Sequence, residues 1–344
     1  MPEKPLTEIS IDVQHLVKRY PKATFNAVDD ISFSVRKGEI FGLLGPNGAG
    51  KTTTIGVLTT NIGPTSGSAH IMGIDVVADP MSVKQRIAVV PQQSNLDRSL
   101  RAREILTFHA SYHGVPRVER NERADRLLEE FGLGNRGKDK VMRYSGGMAQ
   151  RLMLARALMH FPDVLFLDEP TNSLDPQSRL FLWDRIRSLN EQGATILLTT
   201  HDMEEADQLC QRIAIMDHGK ILVLETPTEL KKLIPGGTSL ALRVRIPELA
   251  AIGSASQDSH AKAQLLDALR ALPGVIKVEE VPGEEAEDEL RETTLIRLYA
   301  ENAGALVLQA TQIVAEAEME LHDLHLARPS LEDVFIYLTG RNLR

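Results

Sequence analysis

The alternation of apolar and polar residues predicts a mixed α/β protein with a mostly parallel central sheet. Three short segments contain uninterrupted apolar runs, which are typical of strands buried on both faces: residues 39–44, 164–167 and 195–200. Other predicted elements up to residue 230 are strands at 9–16, 31–35 and 87–90 and helices at 53–58, 150–159 and 203–211. Residues 97–160 are predicted to be largely helical. Strands and helices alternate again over residues 161–230, as in parallel sheets.

The pattern changes after about residue 235. Strands at 239–246, 275–281, 293–299 and 318–326, with helices at 261–271 and 303–317, give a β-α-β-β-α-β order. This order predicts a small ferredoxin-like α+β domain, with mobile loops at 253–259 and 283–288. Ser330 precedes apolar residues at helical spacing up to Leu338, which predicts a capped final helix that docks on the rest. We therefore predict two domains, residues 1–233 and 234–344.

Composition narrows the possible functions. The 344 residues carry a formal net charge of −8, which opposes non-specific binding to nucleic acid. The densely charged segment 117–126 interleaves acids with arginines, so we expect a solvated helix face with intrahelical pairs. Cys210 is the single cysteine; it excludes an intramolecular disulfide and is expected to be packed in the interior. The sequence has neither a signal-peptide pattern nor an apolar run of about 18 residues, so we expect a cytoplasmic protein.

A phosphate-binding loop follows the first buried strand. Residues 45–53 read Gly-Pro-Asn-Gly-Ala-Gly-Lys-Thr-Thr and fit the pattern G-x-x-x-x-G-K-[ST]. Backbone N–H groups of such a loop point at phosphates, and the following helix presents its positive N-terminus to them. Lys51 would neutralise phosphate charge and the Thr52 hydroxyl would bind Mg²⁺. The predicted nucleotide-binding residues of the loop are Gly45, Pro46, Asn47, Gly48, Ala49, Gly50, Lys51, Thr52 and Thr53.

Two carboxylates close the second buried strand. Residues 164–167 alone would indicate only core, but Asp168 and Glu169 follow them directly. Adjacent buried acids are costly unless a cation or a reaction uses them. We therefore predict that Asp168 holds Mg²⁺ and that Glu169 orients or deprotonates an attacking water.

Further motifs complete a recognisable order. Tyr20 precedes the phosphate loop, Gln92 follows a strand, Ser145-Gly146-Gly147 precedes a helix 23 residues before Asp168, and Asp175 and His201 come later. In this order the chain resembles the ATP-binding subunits of ABC transporters over about residues 6–230. The fold implied is a P-loop NTPase core of ABC ATPase type with an antiparallel β subdomain and a helical subdomain at about 97–160. The ferredoxin-like domain would be an addition to it.

The resemblance implies roles for these residues. Tyr20 would stack on adenine, although a tyrosine that merely packs at a strand end is the alternative. Gln92 would reach Mg²⁺ or the attacking water, and His201 would contact the γ-phosphate and position Glu169 or the water. Ser145, Gly146 and Gly147 of one subunit would close over ATP held by the partner of a homodimer, and Asp175 would lie in a loop near the nucleotide.

The phosphate loop and the Met148 that follows the signature glycines resemble the branch of drug, lipid or polysaccharide exporters, which includes daunorubicin-resistance and nodulation-factor exporters. Tyr144 stands where the family commonly has leucine, and Met148 where the signature often ends in glutamine. The resemblance implies an ATPase that uses ATP and Mg²⁺ and is bound peripherally to a separate membrane permease through its helical subdomain. The alternative is an ABC ATPase acting on nucleic acid or the ribosome. Such proteins carry two ATPase units or a long coiled-coil insertion, whereas this chain has one uninterrupted unit.

Overall fold

A computed structural model of the protein describes residues 8–234, 238–245, 255–281, 293–300, 303–317, 319–327 and 329–340. The chain divides into two compact units, with the boundary between Pro227 and Thr228. The predicted mobile loop at 283–288 lies outside the described residues. Among the described residues, no helix combines the length and the apolar character needed to cross a membrane.

The first unit contains both sheets and helices. Its strands are β1 (Ile9–Lys18), β2 (Val28–Arg36), β3 (Ile40–Leu44), β4 (Ser66–Ile71), β5 (Ile74–Asp75), β6 (Ile87–Val90), β7 (Val164–Asp168), β8 (Thr195–Thr200), β9 (Arg212–Asp217) and β10 (Lys220–Glu225). Its helices are α1 (Lys51–Leu58), α2 (Pro80–Arg86), α3 (Ala102–Tyr112), α4 (Arg117–Glu130), α5 (Gly146–Ala157), α6 (Pro176–Glu191) and α7 (Met203–Leu209), and α8 (Pro227–Lys232) begins at the boundary. The predicted elements of this unit are confirmed, with ends that differ by a few residues.

The central sheet has the strand order β10-β9-β3-β8-β7-β6. Its strands from β9 to β6 run parallel, and β10 is antiparallel to β9. Every residue of β3, β7 and β8 is buried, which explains why these strands are apolar without alternation. The register pairs Leu44 with Thr200 and Asp168 with Thr199. The segments that leave these strands therefore start side by side at one edge of the sheet.

An antiparallel sheet with the order β2-β1-β4-β5 packs on the central one. Apolar residues of both sheets form one core, in which Phe33 of β2 stacks on Phe41 of β3 with ring centroids 5.2 Å apart. This sheet is the predicted antiparallel subdomain. It supports the strand from which the phosphate loop emerges.

The segment between β6 and β7 is helical, as predicted. It holds α3, α4 and α5 with 3₁₀ turns at Gly134–Arg136, Val141–Arg143 and Leu158–His160. The intrahelical pairing expected for the charged segment 117–126 is wrong for Asp125. Its carboxylate accepts two hydrogen bonds from Arg103 of α3, at 2.6 and 3.0 Å, because the Arg103 fork reaches across the helix pair. Arg123 likewise leaves its own helix and donates to the carbonyl oxygen of Leu158.

The second unit is an α+β sheet covered by helices. Its elements are β11 (Thr238–Arg245), α9 (Ala255–Arg270), β12 (Val275–Val281), β13 (Thr293–Ala300), α10 (Ala303–Glu316), β14 (Glu320–Ala327) and α11 (Leu331–Thr339). The antiparallel strand order β12-β13-β11-β14 is that of a ferredoxin-like fold. Helix α9 begins at Ala255, so the predicted loop at 253–259 is wrong where it overlaps the helix. A run of small and polar residues predicts a loop, but serine and alanine are also compatible with a helix.

The final helix α11 is fixed by buried polar contacts. Ser330 accepts a hydrogen bond from the backbone N–H of Asp333, and the Asp333 carboxylate accepts one from the N–H of Ser330. The same carboxylate accepts hydrogen bonds from Arg297 at 2.5 Å and Tyr299 at 3.1 Å, both on β13. The predicted serine cap is confirmed. The arginine partner, which lies 36 residues earlier, leaves no local signal in the sequence.

Candidate functional site

The phosphate loop joins the end of β3 to the start of α1. Gly50 has a φ of +104° and a Cβ there would lie 2.5 Å from the Ala27 carbonyl oxygen, so only glycine fits. A Cβ at Gly45 would lie 2.2 Å from the Met216 carbonyl oxygen. These close approaches fix the loop against the sheet. The N-terminus of α1, with its unpaired N–H groups, then faces the space above the strand ends.

Lys51 is held inside the loop. Its Nζ donates to the carbonyl oxygens of Gly45 at 2.6 Å and Pro46 at 3.1 Å, and it lies 3.4 Å from Oε1 of Glu169. Only 4% of the side chain is exposed, and burial lowers the pKa of Lys51, partly opposed by the charge of Glu169. The ammonium group is thus placed where a bound phosphate would meet it.

Asp168 and Thr52 form the predicted oxygen-ligand pair. The Thr52 hydroxyl donates to Oδ1 of Asp168 at 3.2 Å, and the Thr199 hydroxyl donates to the same oxygen at 2.5 Å. Burial raises the pKa of Asp168, while the two hydroxyls lower it. A carboxylate and a hydroxyl this close, both oxygen donors, suit Mg²⁺.

Glu169 is the buried centre of the site. Its Oε2 accepts hydrogen bonds from Gln92 at 2.8 Å and Asn172 at 3.2 Å. Nδ1 of His201 lies 3.3 Å from Oε2, but the angles are not those of a hydrogen bond. The residue has a φ of +47°, a sparsely populated conformation for glutamate, and its N–H donates to the carbonyl and hydroxyl oxygens of Thr199. Strand pairing therefore turns this carboxylate toward the loop.

A cavity of about 440 Å³ opens over these groups. The residues that line it are Tyr20, Phe25, Ala27, Pro46, Asn47, Gly48, Ala49, Gly50, Lys51, Thr52, Thr53, Gln92 and Glu169. Tyr20 is 41% exposed, and its hydroxyl lies 3.4 Å from that of Thr53. Its ring is thus available at the mouth of the cavity to an aromatic ligand.

The signature residues lie elsewhere on the chain. Ser145 caps α5, where its side chain accepts from the N–H of Met148, and both Ser145 and Gly146 are exposed. Gly147 is buried, and a Cβ there would lie 2.5 Å from the Ser178 hydroxyl. Asp175 caps α6 through a hydrogen bond from the N–H of Ser178 at 2.9 Å. Among the described residues, none of these four lines the cavity.

Four residues of the site were not predicted from the sequence, and one of them is Ala27, which lines the cavity. Phe25 lines the cavity and is 70% exposed; it lies in the loop three positions before β2 and belongs to no motif. Thr199 and Asn172 bind the two carboxylates. Thr199 lies near the end of β8, two residues before His201, and Asn172 follows Glu169 by three residues. Their polar side chains at this edge of the sheet were the signal that could have identified them.

Comparison with known proteins agrees with this geometry. Residues 28–172 match the ABC transporter family. The chain is 38% identical over 337 residues, 96% of this chain and 94% of the relative, to the doxorubicin resistance ATP-binding protein DrrA of Mycobacterium tuberculosis. It is 46% identical over 220 residues, 64% of this chain and 72% of the relative, to the Nod factor export ATP-binding protein I of Burkholderia thailandensis.

A solved structure is also similar. It is the dimeric post-hydrolysis state of an ATP-binding cassette with ADP and Pi bound. The TM-score is 0.58 at 26% identity, over 63% of this chain and 98% of that one. The first unit therefore has the fold of a nucleotide-binding cassette.

Proposed function

The chain belongs to the ABC transporter family as an ATP-hydrolysing subunit of an exporter, and from that premise we propose how it binds nucleotide, which proteins it assembles with and which compound it exports. The observation that carries the proposal is the convergence of Lys51, Thr52, Asp168 and Glu169 beneath one cavity. A cation, a metal-binding pair and a buried base meet there, which is the set that phosphoryl transfer to water needs.

In this mechanism the loop N–H groups and Lys51 hold the phosphates of ATP. Thr52 and Asp168 would hold Mg²⁺, which neutralises charge on the phosphates when bound. Glu169 accepts a proton from the attacking water, while Gln92 and Asn172, which donate to Oε2, fix the direction of its carboxylate. His201, whose Nδ1 lies 3.3 Å from Oε2 of Glu169, can contact the terminal phosphate. Tyr20 and Phe25 offer aromatic surface to the adenine.

We infer that two copies of the chain form the working unit. The exposed Ser145 hydroxyl and Gly146 lie at the N-terminus of α5, a helix of 12 residues, and do not line the cavity of their own chain. Their N–H groups suit an anion, so the partner's ATP is the proposed ligand. The dimeric relative with ADP and Pi supports this arrangement.

A separate membrane permease is the proposed second partner. The helical subdomain carries exposed apolar side chains on and beside α3 and α4, including Phe108 at 59%, Tyr112 at 89% and Val118 at 71% exposure. Apolar groups on this otherwise charged surface favour a protein contact. The chain would then lie at the cytoplasmic face of the membrane without crossing it.

The exported compound is proposed to be a drug-like molecule. The relative named for doxorubicin resistance aligns with nearly the whole chain, whereas the relative named for Nod factor export aligns with 64% of it. The chain therefore shares more of its length with the resistance protein, and doxorubicin is the first compound to test.

The test is export by cells that express the chain together with a candidate permease, a protein with about six apolar segments of membrane-spanning length. We expect lower accumulation of fluorescent doxorubicin than in matched cells that carry Lys51→Ala, because that variant lacks the cation that holds the phosphates. Co-purification of the two proteins from membranes is measured in parallel. Equal accumulation together with no co-purification would contradict an export role.

The second unit is proposed to act in dimer contact or in regulating closure. Residues after 235 contain no phosphate loop. A chain that ends at Pro227 is expected to keep the affinity of the full chain for Mg·ATP and to dimerise more weakly in ATP. Both properties are measured in the Glu169→Gln background, by nucleotide titration and by sedimentation. A folded short chain that loses nucleotide affinity but dimerises normally would place the second unit in the nucleotide site.

A further inference from the structure

Three histidines from two segments meet in the helical subdomain, and none of them lines the nucleotide cavity. His109 lies in the last turn of α3, and His113, four residues later, is the C-terminal cap of that helix, so the two lie on the same side. His160 belongs to the 3₁₀ turn Leu158–His160 that follows α5. One ring nitrogen from each residue lies within 4.8 Å of the other two, and the rings of His113 and His160 stack at 3.8 Å.

Two ring nitrogens of the cluster, one on His109 and one on His160, are buried without a hydrogen-bond partner. Nε2 of His160 lies 2.9 Å from the carbonyl oxygen of Ile87 and must carry the proton in order to donate to it. Nδ1 of His160 then holds a lone pair, and this atom is buried without a partner. Nε2 of His109 is also buried without a partner. Buried polar atoms are nearly always paired, so two orphans in one cluster indicate a missing ligand.

The donor set suits a metal. Nδ1 of His160 keeps a lone pair because Nε2 carries the proton that is donated to the Ile87 carbonyl oxygen. Neutral imidazole is the form that binds metals.

We propose that His109, His113 and His160 bind one divalent transition-metal ion of the Zn²⁺ class. Three imidazole nitrogens form a ligand set that zinc accepts, with water at the fourth position, whereas Mg²⁺ and Ca²⁺ prefer oxygen. Two nitrogens on one tetrahedral zinc lie about 3.4 Å apart. The rings of His113 and His160 stack at 3.8 Å, so metal binding requires them to turn out of the stack until both nitrogens point at one ion. The Ile87 carbonyl already gives His160 the second contact that metal-bound histidines usually have.

The position of the cluster indicates what the metal would do. It would join α3 to the turn between α5 and β7, and His160 is also bound to the first residue of β6. The strands β6 and β7 lead to Gln92 and to Asp168. A metal would therefore hold the helical subdomain to the strands that carry the nucleotide site, and it would stabilise the folded chain.

The experiment uses full-length, untagged, metal-free protein without nucleotide. We expect one Co²⁺ per chain with visible absorption, displacement of Co²⁺ by Zn²⁺ but not by Mg²⁺, and a rise in melting temperature of about 5 °C at a hundredfold excess over the Zn²⁺ dissociation constant. His113→Ala is expected to bind at least about 100-fold more weakly, since loss of a second contact alone costs 10- to 100-fold. His113→Cys should keep the metal and add a thiolate-to-cobalt charge-transfer band.

Matched controls separate this cluster from other histidines. His15→Gln changes an exposed histidine beside Asp30, and His201→Ala removes the one beside Glu169; both variants should bind like the wild type. Absence of Co²⁺ absorption in the wild type would overturn the proposal. So would unchanged affinity in a folded His113→Ala protein. If His113→Ala does not fold, a His113→Cys protein that binds Co²⁺ without the sulfur band overturns it equally.

Discussion

Glu169→Gln is expected to lower ATP hydrolysis by about 10²- to 10⁴-fold, the usual contribution of a general base, while ATP binding persists. Glutamine keeps the length and the acceptor oxygen of the side chain, so Gln92 and Asn172 retain a partner. It cannot take a proton from water. Phosphate release by the purified protein gives the rate, and titration with a fluorescent ATP analogue gives the affinity. The altered protein should accumulate as an ATP-bound dimer, visible by sedimentation.

A matched control makes the same chemical change on the exposed face of α4. Glu122→Gln removes one exposed carboxylate that does not line the nucleotide cavity, and the variant should hydrolyse ATP at the wild-type rate. Turnover by Glu169→Gln close to that of Glu122→Gln would mean that another group accepts the proton. His201, 3.3 Å from Oε2, would then be the next residue to test.

The sequence predicted most of the fold because the signals were local. The apolar segments 164–167 and 195–200 each had the length of a strand, and polar residues marked their ends. Since parallel strands end at one edge, the strand prediction also brought Asp168, Glu169 and His201 to the phosphate loop. The ferredoxin-like order followed from alternating strand and helix patterns in the same way.

What the sequence did not predict depends on contacts between distant segments. Phe25 reaches the cavity from a loop without a motif, and Asp125 pairs with Arg103 across two helices. His160 meets His109 and His113 only because the turn after α5 packs beside α3. Such contacts are set by how elements pack, and spacing along the chain does not encode them. The start of α9 was missed for a different reason, because polar helix starts and loops have similar composition.

The second large effect is expected on ATP hydrolysis, when the two halves of a nucleotide site lie on different chains of the dimer. Lys51→Ala removes the phosphate cation, and Ser145→Arg places a long cation on the exposed start of α5, at a cost of about 1 kcal/mol for the lost cap. Each variant alone is expected to be inactive. In a mixed dimer of the two, one site combines an intact phosphate loop with an intact signature. At equal amounts half of the dimers are mixed, each with one of two sites intact, so about a quarter of the sites recover.

The reciprocal mixture is the control that decides whether Ser145 acts on the partner's nucleotide. Wild-type chains mixed with chains that carry both Lys51→Ala and Ser145→Arg form dimers in which each site has one damaged half. If Ser145 acts across the dimer, these mixed dimers hydrolyse no ATP, and total activity falls below that of the wild-type chains alone. If it acts within its own chain, the wild-type site survives in every mixed dimer and the single variants do not rescue each other. Crosslinking in ATP measures the fraction of mixed dimers, and phosphate release per dimer then distinguishes the two arrangements. Rescue by the single variants with loss in the reciprocal mixture is the expected result, because the exposed Ser145 and Gly146 do not line the cavity of their own chain.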